Sequence, residues 1–196
     1  SKSFSEIIGV SRKELVHSNF IAWILNENES HSLGKFPIQK FLELLVVYSK
    51  KIQKKKYKDF FDAIIVSNYE ISNLKITTEK SISNVGRIDI YIESKVTYLS
   101  EEKNLKIIIE NKVGSKEHSD QTTKYFNHFN SNLKNNDIIL YVFLTPISEL
   151  ELNELSEPEC NSKEFIHINY QSLVDFLLEP AIRKNINTRT KTIINE

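Results

Sequence analysis

The chain has 196 residues, 40% of them hydrophobic, and carries 26 Lys/Arg against 26 Asp/Glu. That is enough for one α/β domain with a substantial core, and the zero net charge argues against a general nucleic-acid coat protein. No apolar run approaches the roughly 20 residues that span a bilayer, the N-terminus lacks the regions of a signal peptide, and a lone Cys160 cannot form an internal disulfide, so a reducing cytoplasm is the expected compartment. The sequence contains no methionine; it reads as an excerpt of a longer protein, with the tail over 179–196 leading toward a missing C-terminal region. Charge is unevenly spread: residues 1–98 hold 15 Lys/Arg and 11 Asp/Glu, the remainder 11 and 15. The positive excess gathers in Lys50, Lys51, Lys54, Lys55, Lys56 and Lys58. Such a run reads either as a solvated helix end or as a phosphate-holding surface, with Lys54 and Lys55 as its candidate nucleic-acid contacts.

N-terminal helices are expected over 11–58. Val10, Ser11, Glu14 and Leu15 match a hydrophobic staple with a capping box, which predicts Ser11 as N-cap and Glu14 as its reciprocal partner. Phe20, Trp23, Ile24 and Leu25 continue at helical spacing, and Trp23 reads as core. A polar loop through His31 and Gly34 precedes a second helix opened by Pro37, and that helix is expected to run on into the lysines. A core spanning 64–178 follows. Ile64 to Lys80 is β-branched and alternating, and Ser83 to Gly86 reads as a turn. In Ile88-Asp89-Ile90-Tyr91-Ile92 the isoleucines are expected on one face and Asp89 and Tyr91 on the other. A polar insert over Ser94–Asn104 leads to the apolar strand Leu105–Glu110. Residues 119–129 read as helix, Ile138–Leu144 as a buried strand, Phe165–Tyr170 as another strand and Leu173–Leu178 as another helix. The expected fold is a single α/β domain with a central mixed sheet flanked by helices.

Chemistry concentrates at two points. Glu110 and Lys112 are two residues apart at the end of an apolar strand, so they emerge on one face, and ionised groups there are costly unless paired or liganded. Asp89 is the single acid in its strand. If the two strands form an antiparallel hairpin that pairs 89 with 110, the carboxylates converge; a register shifted by one residue separates them. Two carboxylates offer hard oxygen ligands to Mg²⁺, with Mn²⁺ as substitute, and such an ion polarises a phosphate and lowers the pKa of a water. Lys112 would orient that water and offset developing charge. A purely structural ion pair of Lys112 with Glu110 or Asp89 explains the same spacing equally well.

Asp89 … Glu110-Asn111-Lys112 resembles the D…(D/E)xK core of the PD-(D/E)XK nuclease superfamily, and Gln121-Thr-Thr-Lys-Tyr125 resembles the QxxxY motif that follows this core in RecB-like nucleases. Upstream, Glu14-Leu-Val-His17-Ser18 … Trp23 and Ser30-His31-Ser32-Leu33-Gly34 are similar to the N-terminal signature of one branch of that superfamily, as are Gly86-Arg87-Ile88-Asp89-Ile90 and Leu144-Thr145-Pro146. The resemblance covers about Glu14 to Leu178. It implies a restriction-endonuclease-like core and metal-dependent phosphodiester hydrolysis. In it Asp89, Glu110 and the Asn111 carbonyl hold the ion, Lys112 orients the water, and Gln121 supports the lysine or the substrate. Glu14 fits either an acid near the metal or a helix cap, and Glu79 is a weaker outer carboxylate. Ile88 stands where the superfamily's nominal proline would be.

His17 and Tyr125 are further candidates for touching nucleic acid. For His17 and His31 the competing reading is a set of polar bonds at the helix-to-loop junction, and neither supplies a zinc spacing. The resemblance implies a nuclease with DNA as the expected substrate, the effector domain of a prokaryotic defence or restriction system, either as part of a longer protein or as a homo-oligomer. The alternatives are a non-cleaving nucleic-acid-binding module using the lysine run, or an interaction domain using the acidic 149–164 stretch.

Overall fold

The computed structural model describes residues 4–113, 120–146, 160 and 162–184. Five strands form one mixed sheet in sequential order: β1 (Glu70–Ile82), β2 (Gly86–Tyr98), β3 (Glu101–Asn111), β4 (Asp137–Thr145) and β5 (Phe165–Asn169). The first three make an antiparallel meander, and β3, β4 and β5 run parallel. Strand β4 is buried along all nine residues, as a parallel strand covered on both faces must be, which is why its sequence is nearly unbroken apolar. The mixed sheet flanked by helices is the architecture expected from the sequence.

One face packs against α1 (Phe4–Leu25), α2 (Phe36–Tyr48) and α4 (Lys58–Ile65) through Ile21, Ile24, Phe41, Leu45 and Phe60, which meet Ile90, Ile92, Ile107, Ile109 and Leu140. The other face carries α5 (Gln121–Ser131), whose Tyr125 and Phe129 sit among Tyr91, Ile108, Tyr141 and Phe143. After β5 the chain turns into α6 (Tyr170–Leu173), a π-helical turn Val174–Leu178 and α7 (Glu179–Arg183).

Several sequence expectations need correcting. Helix α1 begins at Phe4, seven residues before Ser11, so Ser11 lies inside the helix and the capping box is absent. Helix α2 does not continue into the lysines: Ser49 is extended at φ −64°, ψ 146°, and its hydroxyl bonds Val46 O at 2.6 Å. The lysines then lie on a separate short helix, α3 (Lys51–Lys56), and at the start of α4. The polar insert is also absent. Both strands continue through Ser94–Asn104 and meet at Leu99 and Ser100, whose φ of 49° and 63° match the turn that a two-residue hairpin requires. Alternation had been obscured there because the partly solvated strands bury Ser94 and Val96 but leave their neighbours polar.

Register is what positions the site. Ile90 pairs with Ile109 and Tyr91 with Ile108, so the next step brings Asp89 across from Glu110. Ile88 departs from the expected alternation by packing with Tyr91 rather than with Ile90 and Ile92. The break falls where β1–β2 pairing skips from Thr78–Ile90 to Lys80–Ile88 and Glu79 is left-handed at φ 52°. Local irregularity of this kind re-aims a side chain, here at Asp89.

Candidate active site

The site lies where the antiparallel and parallel halves of the sheet meet, at the C-terminal end of β3. Glu110 is 0% exposed, and Lys112 is 9% exposed with its Nζ 3.0 Å from Glu110 Oε1. The contact is ionic but poorly directed: neither Glu110 oxygen has a well-formed hydrogen bond. Burial and then the charge on Asp89 push the Glu110 carboxyl up to about 8, although Lys112 opposes them. Asp89 is likewise raised, chiefly by burial, against the Asn111 N–H and the Lys112 charge. For Lys112, burial works toward neutrality, but the Glu110, Glu14 and Asp89 charges outweigh it and its pKa is raised. The three carboxylates and the lysine therefore form one electrostatic unit.

Asn111 holds this unit in place. Its N–H donates to Asp89 Oδ2 at 2.7 Å, and the next amide, Lys112 N–H, donates to Leu144 O on β4 at 2.8 Å. In a trans peptide the N–H and C=O point in opposite directions. The Asn111 carbonyl thus faces away from β4, toward the side where Asp89 lies. Glu14 joins from α1. Instead of capping a helix, its Oε1 accepts from Val113 N at 3.1 Å, and its charge raises the pKa of both Asp89 and Glu110.

Gln121 and Tyr125 act one step back. Gln121 Nε2 donates to Tyr125 Oη at 2.6 Å, and that hydroxyl donates to Arg87 O at 2.7 Å, two residues before Asp89. Gly86 makes room for it: a Cβ there would meet Tyr125 Oη at 3.1 Å, and its φ is +153°. Tyr125 is 0% exposed and so has no surface for nucleic acid; its role is to anchor the start of β2. Gln121 Nε2 is thus engaged by Tyr125.

Other candidates fall outside the centre. His17 is half-buried and its Nδ1 bonds Tyr170 Oη at 3.3 Å, a contact within the protein rather than an open face. His31 is buried as a loop staple: Nε2 bonds Asn26 O at 2.8 Å and Nδ1 accepts from Leu33 N at 3.0 Å. Glu79 is exposed and pairs with Arg87 at 3.3 Å. Lys54 and Lys55 are exposed at the opposite end of the sheet. Their helix is followed by Tyr57, whose hydroxyl takes Ile139 N at 3.2 Å near the start of β4, whereas Glu110 lies level with Phe143. Four residues of strand, about 13 Å, separate those levels. The lysines are therefore not beside the carboxylates.

Sequence reasoning missed Ser18 and Tyr170 as site-forming residues. Both bond the Asn111 side chain, from 93 and 59 residues away in the chain; Ser18 stands in the upstream signature without a role assigned to it, and no local pattern announces Tyr170.

The donor set suits a hard divalent cation. Glu110 with one oxygen beside Lys112 and the other unpartnered, a second carboxylate and an inward carbonyl are oxygen ligands that suit a cation. Among the described residues no group of three or more His, Cys, Asp or Glu is drawn together as a ready-made cage.

No curated protein matches the chain significantly. Among solved structures, the MspJI restriction endonuclease in complex with a 27-mer oligonucleotide aligns at 9% identity, over 88% of this chain and 32% of that one, with a TM-score of 0.30. The chain thus spans about a third of that protein's length, and so loose a likeness carries no weight. The family comparison is of a different order: the model of the PD-(D/E)XK nuclease superfamily matches residues 4–194, and the chain belongs to that superfamily.

Proposed function

We propose that the chain is a metal-dependent nuclease that hydrolyses phosphodiester bonds of DNA. Asp89, Glu110 and the Asn111 carbonyl hold Mg²⁺, with Mn²⁺ as substitute, and Lys112 works beside them. The observation that supports this most is Glu110, fully buried with both oxygens lacking a directed hydrogen bond, next to a second carboxylate and a lysine. A purely structural ion pair would be expected to engage both oxygens; here Lys112 stands beside Oε1 at 3.0 Å and Oε2 has no partner.

A bound divalent ion supplies Lewis-acid polarisation of a phosphate oxygen and a source of hydroxide near neutral pH. The protein supplies position. Asp89 is pinned through Oδ2 by the Asn111 N–H, so its carboxylate would be held in place to serve as a ligand. Glu110 must shed its proton to take part, so in the metal-free protein cation and proton compete for the same carboxylate. Lys112 Nζ stands at the edge of the acidic pair, where it orients the attacking water and offsets negative charge growing on the phosphate. Glu14 fastens Val113 and adds negative potential that favours cation binding. Gln121 and Tyr125 fix the backbone leading into Asp89.

The DNA preference and an effector role in a prokaryotic defence or restriction system, in the cytoplasm, belong to the same proposal. The DNA preference and the effector role rest on family membership, and the compartment rests on the lone Cys160. The test is cleavage of plasmid and single-stranded DNA, and of RNA, by purified protein with Mg²⁺, with Mn²⁺ and in EDTA. Cleavage of DNA that stops in EDTA is expected. Undiminished cleavage in EDTA would reject the metal mechanism, and salt-sensitive binding without cleavage would favour an inactive binding module.

A further inference from the structure

We propose that Tyr170, itself oriented by His17, is a positioning residue of this centre: its hydroxyl locks the Asn111 side chain and thereby the peptide that holds Asp89 and faces the ion. The inference rests on the metal-dependent reading above.

Asn111 is 0% exposed, and every polar atom of its side chain is engaged. Nδ2 donates to Glu14 O at 3.2 Å and to Ser18 Oγ at 3.0 Å, and Oδ1 accepts from the Tyr170 hydroxyl. Glu14 O can only accept, so the amide has one workable orientation, with Nδ2 toward α1 and Oδ1 toward Tyr170. Tyr170 has one proton and gives it to Asn111. The bond to His17 Nδ1 must then run the other way, with Nδ1–H donating to the phenol oxygen over 3.3 Å, which fixes the imidazole tautomer. The two rings meet edge-on at 5.3 Å. The result is a directed chain: His17 to Tyr170, Tyr170 to Asn111, and Asn111 N–H to Asp89.

Geometry gives this chain its purpose. The end of β3 has β4 on one side, but on the other its pairing with β2 stops at Ile90–Ile109. Beyond that point Asn111 is steadied by its own side chain, clamped between α1 and α6. Removing the Tyr170 hydroxyl leaves a buried acceptor without a donor and frees the amide to rotate. The loss is transmitted to the orientation of Asp89 and of the Asn111 carbonyl. Outer partners of metal ligands typically influence affinity in this way.

The test is calorimetric titration of Mn²⁺ into the whole chain, with thermal midpoints measured alongside. The variants are Tyr170→Phe, His17→Leu, His17→Asn and, as control, Tyr48→Phe, whose hydroxyl anchors α6 separately through Ser172 Oγ at 2.7 Å. Tyr170→Phe is expected to weaken Mn²⁺ binding about 10-fold or more. His17→Leu should weaken it less, His17→Asn should recover part of that loss by restoring a donor near Nδ1, and Tyr48→Phe should leave it unchanged. Wild-type affinity in Tyr170→Phe overturns the inference while leaving the nuclease reading intact. Equal weakening in Tyr48→Phe also overturns it, by showing that loosening of α6 is the cause. A wild-type chain that takes up no Mn²⁺ overturns both.

Discussion

The β2–β3 hairpin carries charge in both halves, and the two halves treat it in opposite ways. Toward the turn the charged groups are partnered, although the buried Ser94 Oγ has no hydrogen-bond partner. Lys95 Nζ bonds Asn104 Oδ1 at 2.6 Å and lies 3.4 Å from Glu102, and Asn104 Nδ2 bonds Asp137 Oδ1 at 3.0 Å, while Asp137 Oδ2 takes Lys134 N at 3.0 Å. Burial works to raise the Asp137 carboxyl, but those bonds and the charges of Lys106 and Lys134 hold it below the ordinary range. A cleft of about 530 Å³ opens here, lined by Lys95, Lys106, Lys134 and Asp137. At the other end Glu110 is sealed from water, short of donors and pushed up to about 8. The roomy half is electrostatically at rest; the tight half is not. Hollow space is the usual guide to a functional site; under the proposed function, unbalanced buried charge is the better guide here.

The largest expected contrast is in activity. Asp89→Ala, Glu110→Ala and Lys112→Ala should each lower Mg²⁺-dependent DNA cleavage by about 100-fold or more while circular dichroism and cooperative melting are retained. Lys95→Ala should cut DNA much as wild type does. A similar collapse at Lys95 would erase the contrast between the halves.

Stability should show the contrast with its sign reversed. In the metal-free fold Glu110 keeps its proton up to about 8, against 4.5 for the ordinary group, so between those values the folded state binds more protons than the unfolded one. Stability must then fall as pH rises from about 4.5 to about 8, and the raised Asp89 adds in the same direction. Glu110→Gln removes the penalty; denaturant titrations in EDTA should find it more stable than wild type at pH 8, with a flatter pH profile. Asp137→Ala, which strips a satisfied carboxylate, should instead lose about 1–3 kcal/mol. A Glu110→Gln protein less stable than wild type at pH 8 would show that the Lys112 pair holds the fold together.

Smaller still is the effect at the start of β2. Gly86→Ala places a methyl 3.1 Å from Tyr125 Oη at a φ of +153°. It should cost about 1 kcal/mol or more, with cleavage reduced further than the shift in melting explains. The smallest effect belongs to Lys54→Ala combined with Lys55→Ala: stability within about 0.5 kcal/mol and unaltered cleavage at fixed salt. A marked loss of cleavage would mean that DNA reaches from the site to the far end of the sheet.

The centre was legible because Asp89, Glu110 and Lys112 interrupt apolar strands, and solvation physics makes such interruptions conspicuous. The required register was legible as a condition, and the 90–109 pairing meets it. What failed were inferences from local signals that occur in more than one context. Ser11 and Glu14 spell a capping box but lie within a helix already begun at Phe4. Ser94–Asn104 reads as a loop because a half-solvated hairpin alternates imperfectly. Tyr125 and His17 read as nucleic-acid contacts because exposure cannot be read from spacing, and both hydrogen-bond within the protein. The separation of the lysines from the carboxylates follows from which end of β4 each approaches, and Tyr170 reaches Asn111 only through the fold.

The most direct measurement is Mn²⁺ titration at pH 7 in two buffers of different ionisation enthalpy, comparing wild type with Glu110→Gln. The expected result is ion uptake coupled to proton release in the wild type, because a carboxyl that titrates near 8 must give up its proton to the cation, with much weaker uptake and no coupled proton in the variant. Absence of ion uptake by the wild type, or identical uptake with Gln at position 110, would contradict it.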